Sequence, residues 1–174
     1  AIENYPPNVE LCKQTLLPLG IDFRAAAADG PLPFPDNTFD LVLNRHGSFD
    51  PREVFRVLKP GGVFLTQQVG EDNDRELVEL VLPGLKKPYG GWSMAPVAEN
   101  LKSAGFAVEK QDEAFAPIRF FDTGALVWFA RIIQWEFPGF SVDSCFDKLL
   151  EAEKIIPQKG RHQRSVADFP NGIP

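Results

Sequence analysis

The sequence predicts an α/β fold, and three observations predict it. Helical and strand-like hydrophobic periods alternate along most of the chain. Short apolar runs such as Phe39 to Leu43 are bounded by turn-rich segments. A capped helix start, a Lys-Pro-Gly-Gly turn and a second apolar run follow one another from Asp50 to Val69. No internal repeat and no low-complexity tract interrupts the pattern.

The elements follow in order. Asn8 to Leu19 reads as a helix, because Val9, Leu11, Cys12, Leu16 and Leu19 recur at helical spacing, and Gly20 is its stop. Ile21 to Ala25 alternates like a short strand, and Gly30 to Asn37 is a turn-rich loop. Phe39 to Leu43 is a short apolar run, as expected of a strand buried on both faces. Asp50 can cap a helix, Pro51 suits its first position and Glu53 completes a capping box. That helix carries Val54, Val57 and Leu58, and Lys59 to Gly62 ends it in a tight turn. Val63 to Val69 reads as the next strand.

Asp74 to Leu82 predicts a helix stopped by Pro83-Gly84. Ser93 caps another through Ala104, with Gly105 as its stop. Phe106 to Phe115 is expected as a strand. Asp122 caps a very apolar segment through Ile133, broken by Pro138-Gly139. Ser141 starts a last helix through Ile156, stopped by Pro157. Residues 158–174 are polar and breaker-rich, without a strand pattern, and read as a disordered or extended tail behind one domain of residues 1–157.

Composition narrows the function classes. The 174 residues include 44% hydrophobic and 24% charged, ordinary globular usage for one domain. The net charge of -6 argues against a dedicated nucleic-acid binder, so RNA is a weaker expectation than a small molecule. No apolar run approaches the ~20 residues of a membrane span. Cys12 and Cys145 have no metal-ligand spacing, so no metal is expected, and a reducing cytosol fits best. Ala1-Ile2-Glu3 resembles the tail of a strand rather than a start, as expected of a fragment or a processed form.

Two blocks carry a resemblance. Leu32 to Leu43 reads LPFPDNTFDLVL, and Val57 to Phe64 reads VLKPGGVF. Together they resemble class I methyltransferases that use S-adenosylmethionine, the type 11 group. Tyr5 to Val9, and the run from Asn44-Arg45-His46 through Thr66 to Gly70, are similar to one bacterial branch of that group. The resemblance covers residues 1–156, most securely 1–70. It implies a Rossmann-like open sheet of mostly parallel strands with flanking helices, incomplete at both ends. The group's first strand and Gly-rich loop should precede Glu3, and its closing antiparallel strand should follow the last helix; the sequence patterns supply neither.

The resemblance also implies a site. In an open α/β sheet, ligands sit beyond the C-terminal ends of the strands. Glu3, with Asn4 beside it, would end the second strand of the fold and accept hydrogen bonds from both ribose hydroxyls of the cofactor. After the next strand, Asp29 would face the adenine amino group, and the amide of Gly30 would meet a ring nitrogen. Asp29 stands three residues before Leu32, where many relatives have four, so Ala28 is the alternative occupant. Asn44, Arg45 and His46 follow the fourth strand, beside the sulfonium and the acceptor. His46 is the candidate catalytic residue, as general base, as an orienting group or as pocket lining. Methyl transfer often needs no strong base, because the sulfonium is already activated and positioning can suffice. Gln67, at the end of the following strand, is a candidate acceptor contact, with Gln68 as its neighbour. Arg119 could pair with an anionic acceptor.

Other features read as structural. Lys-Pro-Gly-Gly is a turn, not a phosphate cradle, because no G-x-x-x-x-G-K-[ST] pattern exists. Trp128, Trp135 and Phe137 read as helix core. Hydrolase readings rank low without a G-x-S-x-G elbow or an H-E-x-x-H motif. The expected function is S-adenosylmethionine-dependent methyl transfer to a small-molecule acceptor. The alternative is a degenerate, non-catalytic methyltransferase-like module acting in protein–protein interaction. An exposed parallel-strand edge would also invite self-association into a homo-oligomer.

Overall fold

The computed structural model describes residues 1–26, 30–86, 90–156 and 167–173. The chain divides into two compact units: Ala1–Gln67 with Asn100–Val108, and Gln68–Glu99 with Glu109–Pro174.

In the first unit, β1 (Ile2–Glu3) runs parallel to β2 (Arg24–Ala25), paired Ile2 to Arg24 and Glu3 to Ala25. Parallel strands need a crossover, here α1 (Pro6–Leu16) and a 3₁₀ turn over Leu17–Leu19. The helix starts at Pro6 rather than Asn8, because proline at the first positions forfeits only amides that have no helical partner. Gly20 stops it at φ 73°, donating its N–H to Leu17 O.

β3 (Phe39–Arg45), α2 (Pro51–Val57) and β4 (Leu58–Gln67) form the second parallel unit, in register from Leu41 opposite Val63 to Arg45 opposite Gln67. Asp50 caps α2 by accepting from the Arg52 amide at 2.9 Å. Glu53 does not complete a capping box: its carboxylate accepts from the Leu32 amide and from Arg56. The Lys-Pro-Gly-Gly turn lies inside β4, which starts at Leu58, and the register shifts between Phe39 and Leu41 to accommodate it. A Cβ on Gly62 would stand 2.9 Å from Lys59 O and 3.1 Å from Phe39 O, so only glycine fits there.

The expectation of burial on both faces of β3 fails. Leu41 and Leu43, with Val63 and Leu65 beside them, are exposed; Leu43 is 67% and Leu65 62% accessible. The other face is covered by aromatic rings, with Phe64 against Phe49 at 5.0 Å and against Phe106 at 5.9 Å. Phe106 also meets Phe55 at 5.2 Å. The strand expected at Phe106 to Phe115 is therefore corrected: Phe106 packs on rings, and the strand starts at Ala114.

In the second unit, α3 (Arg75–Val81), β5 (Ala114–Phe120), α5 (Thr123–Ile132) and α6 (Phe146–Ile155) surround a core of Leu77, Val78, Val81, Leu126, Phe137 and Leu149. A further helix, α4, spans Met94–Ser103. Asp122 caps α5 by accepting from the Ala125 amide at 2.7 Å. α6 starts at Phe146, not Ser141; Ser141 and Ser144 instead form a hydrogen-bonded turn ahead of it. Phe137 is core, as expected, but Trp128 and Trp135 are exposed, Trp128 to 65%. The absence of a strand after the last helix is also corrected. β6 (Ala167–Ile173) pairs antiparallel with β5, from Phe120 opposite Ala167 to Ala114 opposite Ile173. Its Pro170 and Gly172 hide it from a test based on side-chain alternation, because backbone pairing makes the strand.

Candidate functional site

Glu3 ends β1, and the local fold holds its carboxylate still. Oε1 accepts from the amides of Asn4 at 2.8 Å and Tyr5 at 3.0 Å, and Oε2 accepts from Asn8 Nδ2 at 3.1 Å. The Tyr5 amide, then the Asn8 side chain, then the Asn4 amide hold the Glu3 carboxyl below its ordinary range. A carboxylate offers about four lone-pair directions, so these donors leave capacity for a further one. Asn4 takes part through its backbone.

The exit of β2 pairs with the Glu3 backbone. The Ala26 amide donates to Glu3 O at 3.1 Å, extending the β1–β2 pairing by one bond. The chain then leads to Gly30, half-buried, at the start of the loop through Thr38. Ala28 and Asp29 lie outside the described residues.

Two arginines, Arg24 and Arg56, anchor that loop. Arg24, on β2, donates to Pro33 O and lies over the Phe34 ring at 4.6 Å. Arg56, on α2, donates to Leu32 O, Phe34 O, Asp36 and Glu53. Phe34 also meets Phe39 edge-on at 4.8 Å. No local pattern marks these residues, because their partners stand up to 24 positions away.

The second group of candidates stands at the ends of β3 and β4. Asn44 lies opposite Thr66 and accepts from its hydroxyl at 3.2 Å. Arg45 lies opposite Gln67, and the His46 amide donates to Gln67 O at 2.9 Å. Because strand side chains alternate, Asn44 lies on the aromatic-covered face and Arg45 and Gln67 on the other. His46 adopts φ 56°, in the left-handed region, as the chain turns out of β3. A Cβ on Gly47 would stand 3.2 Å from Asn44 Nδ2, so the turn is tight. The His46 ring is exposed and has no hydrogen-bond partner among the described residues.

The structure thus brings Glu3 and Asn4 to the exit of β2, and His46, Asn44 and Arg45 to Gln67. Arg119 belongs to the second unit, on β5 opposite Asp168. Glu3 is an ionised acceptor at a strand end with room for one further donor. Among the described residues, no helix is long and apolar enough to cross a membrane.

Comparison with known proteins finds similarity in sequence and in fold. Residues 1–66 match the family described as "Methyltransferase domain". The probable phthiotriol/phenolphthiotriol dimycocerosates methyltransferase 2 of Mycobacterium ulcerans is 41% identical over 71 residues, covering 37% of this chain and 27% of that protein. The chain therefore spans only about a quarter of that relative's length. Among solved structures, the YcgJ protein of Bacillus subtilis aligns with a TM-score of 0.55 at 18% identity, over 99% of this chain and 78% of that one. A protein of Bacillus halodurans aligns with a TM-score of 0.57 at 16% identity, over the same shares, 99% and 78%. These two likenesses show the fold, a Rossmann-like α/β architecture. The chain is thus similar to the family described as "Methyltransferase domain" over residues 1–66, and in its fold to these two solved structures.

Proposed function

We propose that the protein transfers a methyl group from S-adenosylmethionine to a nucleophilic atom of a small-molecule acceptor. The observation that carries this reading is the Glu3 carboxylate, fixed at the end of β1 by Tyr5, Asn4 and Asn8, on a residue whose backbone carbonyl pairs with the Ala26 amide at the exit of β2.

When bound, the cofactor supplies an electrophilic methyl group on a sulfonium. Glu3, a carboxylate charged at neutral pH, accepts a hydrogen bond from a ribose hydroxyl through its remaining lone pair. Asn4 flanks the ribose. The Gly30 amide meets the adenine ring, with Asp29 or Ala28 beside it. Asn44 and Arg45 border the sulfonium. His46 lines the reacting centre and orients the acceptor; among the described residues its ring has no partner that would hold it as a general base. Gln67 contacts the acceptor.

The Mycobacterium ulcerans relative is named for a phthiotriol acceptor. An alcohol-bearing small molecule is accordingly the first acceptor class to test, ahead of RNA. The matches to methyltransferases give the non-catalytic alternative no support.

The test is binding of S-adenosylhomocysteine to the full-length protein and to Glu3→Gln. Hydrogen bonds to a charged group are worth ~1.5–3 kcal/mol, so the variant should bind about ten- to a hundredfold more weakly. Unchanged affinity would remove Glu3 from the site.

A further inference from the structure

We propose that Arg56 and Glu53 are positioning residues that set the cofactor-facing backbone at Gly30 through Leu32, and so determine selectivity for the adenine ring. The inference rests on the cofactor reading above.

The pair grips Leu32 by both of its backbone groups. Glu53 Oε2 accepts from the Leu32 amide at 2.8 Å, and Arg56 Nη2 donates to the Leu32 carbonyl at 3.0 Å. Arg56 and Glu53 are themselves joined by two parallel bonds of 2.9 and 2.7 Å. The remaining Arg56 donors reach Phe34 O and Asp36, both at 2.8 Å. All five N–H groups of the guanidinium are thereby used, a pattern that the point charge of lysine cannot reproduce. The same loop is tied to α2 by the backbone, Asn37 N to Arg56 O at 2.9 Å and Thr38 N to Val57 O at 2.8 Å.

Gly30 precedes Leu32 by two positions, and a residue spans at most ~3.6 Å. Fixing Leu32 therefore confines the Gly30 amide to within about 7 Å of a clamped point. An amide confined before binding loses less freedom on meeting its ligand, which favours affinity. It also favours a ring nitrogen that accepts. Adenine presents such an acceptor at N1, whereas hypoxanthine carries a proton there. Arg56 and Glu53 act through Leu32.

The experiment compares full-length wild-type protein with Arg56→Lys and Glu53→Gln. Dissociation constants are measured for S-adenosylhomocysteine and S-inosylhomocysteine, and hydrogen exchange is followed at the Leu32 amide. A residue that served stability alone would change the folded fraction and leave the ratio of the two constants intact. The account expects the adenine preference to fall about five- to tenfold, the worth of one hydrogen bond, and Leu32 exchange to quicken. If Arg56→Lys fails to fold, Glu53→Gln decides, because it keeps the guanidinium and the side-chain volume. Wild-type selectivity in the folded variants would overturn the positioning role alone. A folded wild-type protein that binds neither nucleoside would overturn the cofactor reading and this role with it.

Discussion

The backbone N–H of His46 donates to the carbonyl of Gln67 at 2.9 Å, just past the last paired residues of β3 and β4. One bond thus joins two candidate site residues that stand 21 positions apart in sequence. It holds the turn in which His46 takes its left-handed conformation. His46→Asn keeps that conformation, because asparagine tolerates it well. The account predicts a loss in kcat/KM of less than about tenfold and an unchanged pH profile. A general base contributes about 10²- to 10⁴-fold, so a loss of that size with a missing pH limb would make His46 the base instead.

Gly62 offers a purely structural test. An added Cβ meets two carbonyl oxygens and Leu58 Cδ2 at 2.9–3.1 Å, and backbone cannot retreat as a flexible side chain can. Gly62→Ala should cost about 1–3 kcal/mol in urea unfolding. A cost near zero would show that the β3–β4 register is looser than described.

Asp50 caps α2 with a bond of 2.9 Å to the Arg52 amide. Asp50→Ala should destabilise by about 1 kcal/mol, the usual worth of a cap. Because α2 carries the Glu53–Arg56 pair, faster exchange at Leu32 should accompany the loss. Stability and exchange that both stay at the wild-type level would contradict the role of the cap.

Glu136 sets a pH dependence in the second unit. Burial first, then the charge of Asp74, raises its pKa above the ordinary value. A carboxyl with a raised native pKa binds its proton more tightly when folded. Its contribution is fully present below the unfolded pKa and is lost as pH rises through the native value. Glu136→Gln should therefore raise Tm at neutral pH, by about 2–4 °C for each kcal/mol recovered, and the advantage should vanish in acid. Thermal melts across pH decide it; an advantage that persists unchanged in acid would contradict the sign.

What the sequence revealed was local chemistry. Asp50-Pro51 opens α2, Gly20 closes the first helix and Asp122 caps α5, because each signal and its structural partner lie within a few residues. Glu3, Asn44, His46 and Gln67 do stand at strand ends, a placement that the resemblance rather than any local signal implied. Pairing at long range was not legible. Glu53 satisfies a capping pattern and yet serves Leu32, because Arg56 and the returning loop offer stronger partners. Phe106 has strand-like neighbours but is claimed by Phe55 and Phe64. Leu43 reads as core within its apolar run, and only the tertiary arrangement leaves it exposed. β6 depends on backbone pairing with β5, which no side-chain period reports.

The most direct test of the central claim is isothermal titration of the full-length protein with S-adenosylhomocysteine, beside Glu3→Ala. The account predicts saturable binding to the wild type and its loss in the variant, with stabilisation of about 2.7 kcal/mol at a ligand level 100 times Kd as an independent check. No heat and no stabilisation in a folded protein, or equal affinity in Glu3→Ala, would contradict it.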